Sequence, residues 1–273
     1  MIDRRKIVFA IFFFVSFQCN TCSELVAKPY YRFWRGWKKD NLSYEEFHSI
    51  LANRFMPATP AMLAKHGLTA YLVAIPELPH SELLPDEIAL VVYKDFVSFK
   101  KAFSTAIGKK YGKMHWDVFK RGPSFSQVPI PYPIEKQNTI HPGKAYDLLG
   151  GNIDWQRGHS VFSLGFRIPG VLPSIFQKRF NEKVWKIKKT AAKNGLRAFL
   201  FLTTRDYIIS LINWESRESM QQGMRSLQNN GYTGHPIPFM KSFMIKQSKP
   251  FKDRVNAGQF LNVKFKIFTP EQD

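Results

Sequence analysis

Lys193-Asn-Gly195-Leu196-Arg-Ala198-Phe199-Leu200 restates Lys65-His-Gly67-Leu68-Thr-Ala70-Tyr71-Leu72 from 128 positions earlier, with five of eight residues identical and Phe199 standing where the first copy has Tyr71. A second echo follows in the same order. Ile209-Ser-Leu211-Ile-Asn-Trp214-Glu-Ser216 lines up with Ile88-Ala-Leu90-Val-Val-Tyr93-Lys-Asp95 at an offset of 121, and Met220 and Met224 keep step with Phe99 and Phe103. Two matches in one order, each at the same place in a local pattern, predict a duplicated domain.

The pattern says what each copy is. Gly67 and Gly195 stand where a helix would close, since glycine accepts the left-handed conformation that ends one. Before Gly195, Phe176, Phe180, Val184, Ile187 and Ala191 recur every three or four residues and form one apolar helical stripe. Leu196 to Leu202 and Tyr207 to Trp214 are apolar runs of strand length joined by Thr203-Thr-Arg-Asp206, which reads as a hairpin turn. Glu215-Ser-Arg-Glu218 opens another helix with Ser216 as its cap, and Asn230-Gly231 stops it. Ser160 to Ile168 as an opening strand and Pro238 to Lys246 as a closing one complete the order β-α-β-β-α-β.

The first half reproduces that order. Tyr30–Lys38, 68–75, 87–93 and 114–120 are its expected strands; 43–66, interrupted at Pro57 and Pro60, and 98–111 are its expected helices. The fold class expected is therefore α+β: two tandem ferredoxin-like units packed sheet to sheet as a single-chain α/β barrel. The boundaries are 1–23 for a leader, 24–121 for the first unit, 122–158 for a connector rich in Pro and Gly, 159–250 for the second unit, and 251–273 for a tail with an edge strand. The connector is either wrapped over the surface or a functional loop. As an internal pseudo-dimer, the chain is expected to be a monomer.

Arg4-Arg5-Lys6 followed by the apolar run Ile7–Phe17 reads as a signal peptide. Eleven helical residues reach about 16 Å, roughly half a hydrocarbon core. Cleavage after Ser23 would place the mature protein in the periplasm or outside the cell, without a thiol, since Cys19 and Cys22 are the two cysteines of the chain. A buried first strand, a lipid anchor at Cys19 or Cys22, and a redox or metal pair in Cys19-x-x-Cys22 are the alternatives. The 273 residues are 44% hydrophobic and carry a net charge of +19, which excludes a disordered chain and favours anionic partners. Export argues against nucleic acid as that partner.

Asn213-Trp214-Glu215-Ser216-Arg217-Glu218-Ser219-Met220 resembles the strand-to-helix junction of the antibiotic-biosynthesis-monooxygenase-like family of the dimeric α/β-barrel group. That resemblance implies a cavity between helices and sheet, used by some relatives for cofactor-independent oxygenation of aromatic molecules and by others for haem degradation. The family Trp falls on Trp214, with Tyr93 at the same place in the first copy. Haem-degrading relatives carry a His on the following helix, and none occurs from Arg217 to Gly234. No cofactor is therefore expected.

Strand parity adds Arg167 and Asn213 to Trp214 and Tyr93 as pocket candidates; the plain alternative for Trp214 is a core aromatic that locks the helix. The seven histidines show no i, i+4 pair and no accompanying acidic or thiol cluster, so no metal site is expected, although His115 and His159 lie at or beside expected strands. The stretch from Lys178 to Lys193 sets seven basic residues against Glu182. Lys178, Arg179, Lys183, Lys186 and Lys189 lie on its wet face, as a soluble surface or a dock for an anionic membrane or envelope. Three functions follow: a binder of a small apolar or aromatic molecule, a cofactor-independent monooxygenase near Trp214, and a non-catalytic envelope protein docking through the basic helix.

Overall fold

The structure is a computed structural model that describes residues 28–75, 84–132, 140–151, 153–155, 157–229 and 240–244. The leader, both cysteines and the tail lie outside these residues.

Four strands of the first half, β1 (Tyr30–Gly36), β2 (Leu68–Ala74), β3 (Glu87–Tyr93) and β4 (Phe125–Gln127), form an antiparallel sheet in the order β2-β3-β1-β4. The second half contributes β7 (His159–Arg167), β8 (Leu196–Thr203), β9 (Tyr207–Trp214) and β10 (Met240–Met244), ordered β10-β7-β9-β8. Both are the split βαβ order. Two short strands from the connector, β5 (Ile130–Pro131) and β6 (Ala145–Asp147), lengthen the second sheet beyond β8.

The duplication reaches the level of single hydrogen bonds. Gly67 and Gly195 both have positive φ, 89° and 79°. The carbonyl of Gly67 accepts from Lys94 N at 2.8 Å, and that of Gly195 accepts from Glu215 N at 2.8 Å. The pairing slips between Leu68 and Ala70 against Tyr93, and likewise between Leu196 and Ala198 against Trp214. Asp95 and Ser216 cap the following helices at equivalent positions, accepting from Ser98 N and Ser219 N.

The helices of the first unit depart from expectation. From Tyr44 the chain runs through α1 (Tyr44–Ile50), a wide π-type turn at Leu51–Phe55, and α2 (Met56–Leu63). The wider turn, in which Met56 N bonds Leu51 O, lies just before the prolines; Pro57 stands in the first turn of α2, where a missing N–H costs little, and Pro60 lies inside that helix. The single helix expected at 98–111 is two, α3 (Phe96–Ser104) and α4 (Ala106–Val118), broken at Thr105. Thr105 donates to Ala102 O and accepts from Gly108 N, ending one helix and capping the next. Gly108 is required there: a Cβ would lie 2.0 Å from Ala102 O.

The strand expected at Met114–Lys120 is thus the last turns of α4. Its alternation of large residues is read correctly at helical spacing, with Tyr111, His115 and Phe119 on one side. The fourth strand is the three-residue β4, inside the stretch assigned to the connector, pairing with Phe33–Arg35.

In the second unit α5 (Pro173–Ala191) and α6 (Arg217–Asn229) cover the sheet. Phe176, Phe180 and Val184 are buried with Phe199, Phe201, Ile208 and Trp214, as the stripe predicted. On the opposite face of that sheet Leu164, Leu200, Ile209 and Leu211 join Phe33, Leu72 and Leu90 of the first sheet in one core. The sheets stay separate, with no strand pair between them among the described residues, so a closed barrel is not formed.

Candidate functional site

The helix-covered side of the first sheet holds a cavity of about 230 Å³. Its position follows from strand parity. Alternate residues of β1 and β3 face the helices, so Arg32 and Trp34 stand beside Val91 and Ala89, with Glu87 and Tyr93 at the two ends of β3. Phe55 follows from the first helical stretch, and the break at Thr105 turns α4 so that Tyr111 and His115 close the other wall. Phe99 and Phe103 of α3 complete an aromatic lining.

Glu87, 1% exposed, is the one carboxylate of the lining among the described residues. Tyr71 O–H donates to its Oε1 at 3.0 Å and Trp34 Nε1–H to its Oε2 at 2.9 Å. Burial outweighs both bonds and holds the carboxyl up at about 7. Tyr71 is itself raised well above the usual phenol range by burial and by the neighbouring Glu87 charge.

His115 sits among the rings of Trp34, Phe55 and Tyr111 at 4.8–5.0 Å. Burial pushes its imidazole down to about 4. Its Nδ1 lies 3.1 Å from Tyr111 O, an acceptor, so Nδ1 carries the proton of the neutral ring and Nε2 the lone pair. The Tyr111 hydroxyl is taken up by Thr59 at 2.8 Å, with Thr59 donating in turn to Phe55 O. Tyr93 differs: its hydroxyl is buried and meets no partner among the described residues, and burial raises it above the usual phenol range. Arg32 stands where β1 meets the edge strand, donating from Nε to Ser126 Oγ at 2.8 Å and lying over the Phe99 ring.

The expected site residues divide sharply. Tyr93 lines the cavity. Trp214, its counterpart by register, does not: its indole fills the corresponding space of the second unit, so closely that a Cβ on Gly223 would stand 2.2 Å from the ring. Asn213, next to it on the strand, faces the other sheet, where its Nδ2 donates to Ser160 Oγ at 2.7 Å and Arg157 O at 3.1 Å. Arg167 lies at the opposite end of β7 from the Trp214 pairing, roughly 26 Å away at strand rise. It is bound to Asp206 at 2.6 Å and to Val171 O, and locks the β8–β9 turn. Trp214, Asn213 and Arg167 therefore form no common pocket.

His115 and His159 also stay apart, one in the cavity and one paired opposite Trp214. Among the described residues no group of three His, Cys, Asp or Glu side chains is placed to hold a metal. On α5, Lys178 and Arg179 are exposed and Lys183 is half-buried; the side chains of Lys186 and Lys189 lie outside the described set. Glu87 and Tyr111 were not singled out in the sequence, and His115 was weighed there only as a metal ligand. The signal for Glu87 was its place at the head of the apolar run Ile88–Val92, where a carboxylate must be buried.

No family model matches the chain, and no curated protein matches it. Solved structures do. One is a "putative monooxygenase" of Fusobacterium nucleatum, 12% identical, covering 81% of this chain and 92% of its own with a TM-score of 0.41. A second "putative monooxygenase", from Lactobacillus acidophilus, is 8% identical over 80% of this chain and 93% of its own, with a TM-score of 0.39. An anthrone oxidase-like protein is 11% identical over 81% and 92%, with a TM-score of 0.37.

Proposed function

We propose that the chain binds one small aromatic molecule, of one or two fused rings, in the cavity of its first unit, while the second unit, filled by Trp214, serves as scaffold. The single observation that carries this is the 230 Å³ space walled by Phe55, Phe99 and Phe103 with Glu87 and the unpartnered Tyr93 hydroxyl in its lining. A cavity of roughly 150 Å³ is enough for benzene, so this one takes a larger ring system but not a drug-sized ligand. Ring faces favour an aromatic guest. Glu87 and Tyr93 favour one that carries a hydroxyl or carbonyl, because each polar group in an apolar wall fixes orientation.

Native mass spectrometry of the full chain, purified without denaturation, tests this. A bound small molecule at one per chain, lost in Val91→Phe, is the expected result. A bound molecule that survives Val91→Phe would place it elsewhere and overturn the proposal.

A second reading makes the same cavity catalytic. A carboxyl held near 7 in a water-poor pocket is poised to take a proton from a phenol. A phenol with a free para position reacts with O₂ to give a quinone and water, one oxygen atom entering the ring and the other leaving as water, with no outside reductant. Oxygen consumption with such phenols should then rise with pH through about 7 and fall strongly in Glu87→Gln. Uptake that is indifferent to both would confine the protein to binding.

A further inference from the structure

We propose that the outer face of α3 and α4 docks on an anionic lipid bilayer. Phe96 is 51% exposed, Val97 72% and Ile107 48%, which are large apolar areas to leave in water on two short adjoining helices. On α3, Phe96, Lys100, Ser104, Val97 and Lys101 fall in that order around a single exposed arc at 100° per residue. On α4, exposed Ile107 lies about 60° round the helix from exposed Lys110, with Lys113 and Lys109 further round the same wet arc.

Six exposed lysines, Lys94, Lys100, Lys101, Lys109, Lys110 and Lys113, thus lie on or beside the two helices that carry these three exposed apolar side chains. The acids nearby are already engaged: Asp95 caps α3, and Asp117 is ion-paired with Arg54. Lysines ringing aromatic and aliphatic residues match phospholipid headgroups over acyl chains, the pattern of a helix lying in the interfacial plane. No described helix is long and apolar enough to cross a membrane, so the contact is peripheral.

The face lies directly over the cavity. Phe96 stacks on Phe99 at 6.3 Å and meets Tyr30 at 5.0 Å, and Phe99 is cavity wall. Docking here sets a continuous line of rings between hydrocarbon and pocket, a path by which an apolar aromatic molecule dissolved in lipid enters without crossing water. This delivery role, unlike the docking itself, rests on the cavity reading.

The test labels Val97→Cys with an environment-sensitive nitrobenzoxadiazole dye in a full chain carrying Cys19→Ser and Cys22→Ser, so that the signal is local to α3. Emission should rise about threefold and shift to the blue on adding vesicles of phosphatidylcholine with roughly one-third phosphatidylglycerol, and not with phosphatidylcholine alone. Lys100→Glu/Lys101→Glu should weaken the response by about tenfold or more, since each basic residue contributes separately at a charged surface. The same dye at Ile175→Cys on α5 should not respond. No change at position 97, or an equal change at 175, overturns the proposal. Naphthol binding measured without vesicles, and vesicle binding measured without naphthol, separate a failure of the cavity reading from a failure of the docking face.

Discussion

Replacing Glu87 by Gln should change how stability depends on pH more than it changes stability at any one pH. The carboxyl ionises near 4.5 in the unfolded chain and near 7 in the fold. A raised carboxyl stabilises fully below its unfolded value, and that contribution is lost as pH climbs through the folded one. The whole interval, at roughly 1.4 kcal/mol per pH unit, amounts to about 3 kcal/mol. Roughly 1 kcal/mol of it is already gone at pH 5, which leaves about 2.5 kcal/mol to be lost by pH 8.5.

Glu87→Gln keeps the shape and the two incoming hydrogen-bond donors but cannot ionise. Its unfolding free energy minus that of the native chain should therefore rise by about 2.5 kcal/mol between pH 5 and pH 8.5. His115 contributes in the opposite sense. Its imidazole is held at about 4 against 6.5 unfolded, so its stabilising effect is present above 6.5 and is lost as pH falls through 4. Across roughly pH 4.5 to 6.5 the two slopes oppose in the native chain, and Glu87→Gln leaves the His115 slope exposed. Urea unfolding at matched pH values reads this directly. Parallel curves for the two proteins would mean that Glu87 is not a dry carboxyl at the cavity wall, and the account of the site would fail with it.

Trp214→Ala should cost about 3–5 kcal/mol, the range for emptying a packed aromatic site, and should vacate the volume the indole fills against Gly223; a loss below about 1 kcal/mol in thermal or urea unfolding would show that the indole is not the plug described. Gly108→Ala drives a methyl into Ala102 O and should destabilise by about 2 kcal/mol or more, while Gly112→Ala, whose added Cβ meets nothing within 4 Å, should gain rather than lose helix stability. Ser43→Ala removes half of a capping box in which Ser43 Oγ accepts from Glu46 N and Glu46 accepts from Ser43 N, for an expected loss of about 1 kcal/mol by urea unfolding.

The duplication and both sheets were legible because their signals are local and occur twice. Gly67 and Gly195 can be read as helix ends from one residue each, and the flanking apolar runs have strand length whatever they pack against. What failed was the segment after the second helix of the first unit. Met114, Trp116 and Val118 alternate with the polar His115 and Asp117 as in a strand, yet Tyr111, His115 and Phe119 also repeat every four residues, and only the tertiary need to roof the sheet decides between the two periods. Thr105 decides it physically by capping a new helix, a choice that a threonine in an apolar stretch does not announce.

Tyr93 and Trp214 were singled out together and the sequence left open which copy carries a site; the structure places Tyr93 in the wall of the first-unit cavity and Trp214 against Gly223 of the second unit. A Trp at a strand end reads alike whether it borders a cavity or fills one; the difference lies in Gly223, nine residues on, which lets α6 close against the ring. Asn213 and Arg167 failed for a simpler reason. Adjacent residues on a strand face opposite sides, so Asn213 could not share the helix-covered face with Trp214, and the far end of an antiparallel strand cannot share its neighbourhood.

The most direct test of an open first unit and a filled second one is a crystal structure of the chain with 6-bromo-2-naphthol, read by the anomalous signal of bromine. One peak per chain, between Ala89 and Phe103 and with the naphthol hydroxyl toward Glu87 or Tyr93, is the predicted result. A peak beside Trp214, a peak between the two sheets, or none at a saturating concentration would contradict it.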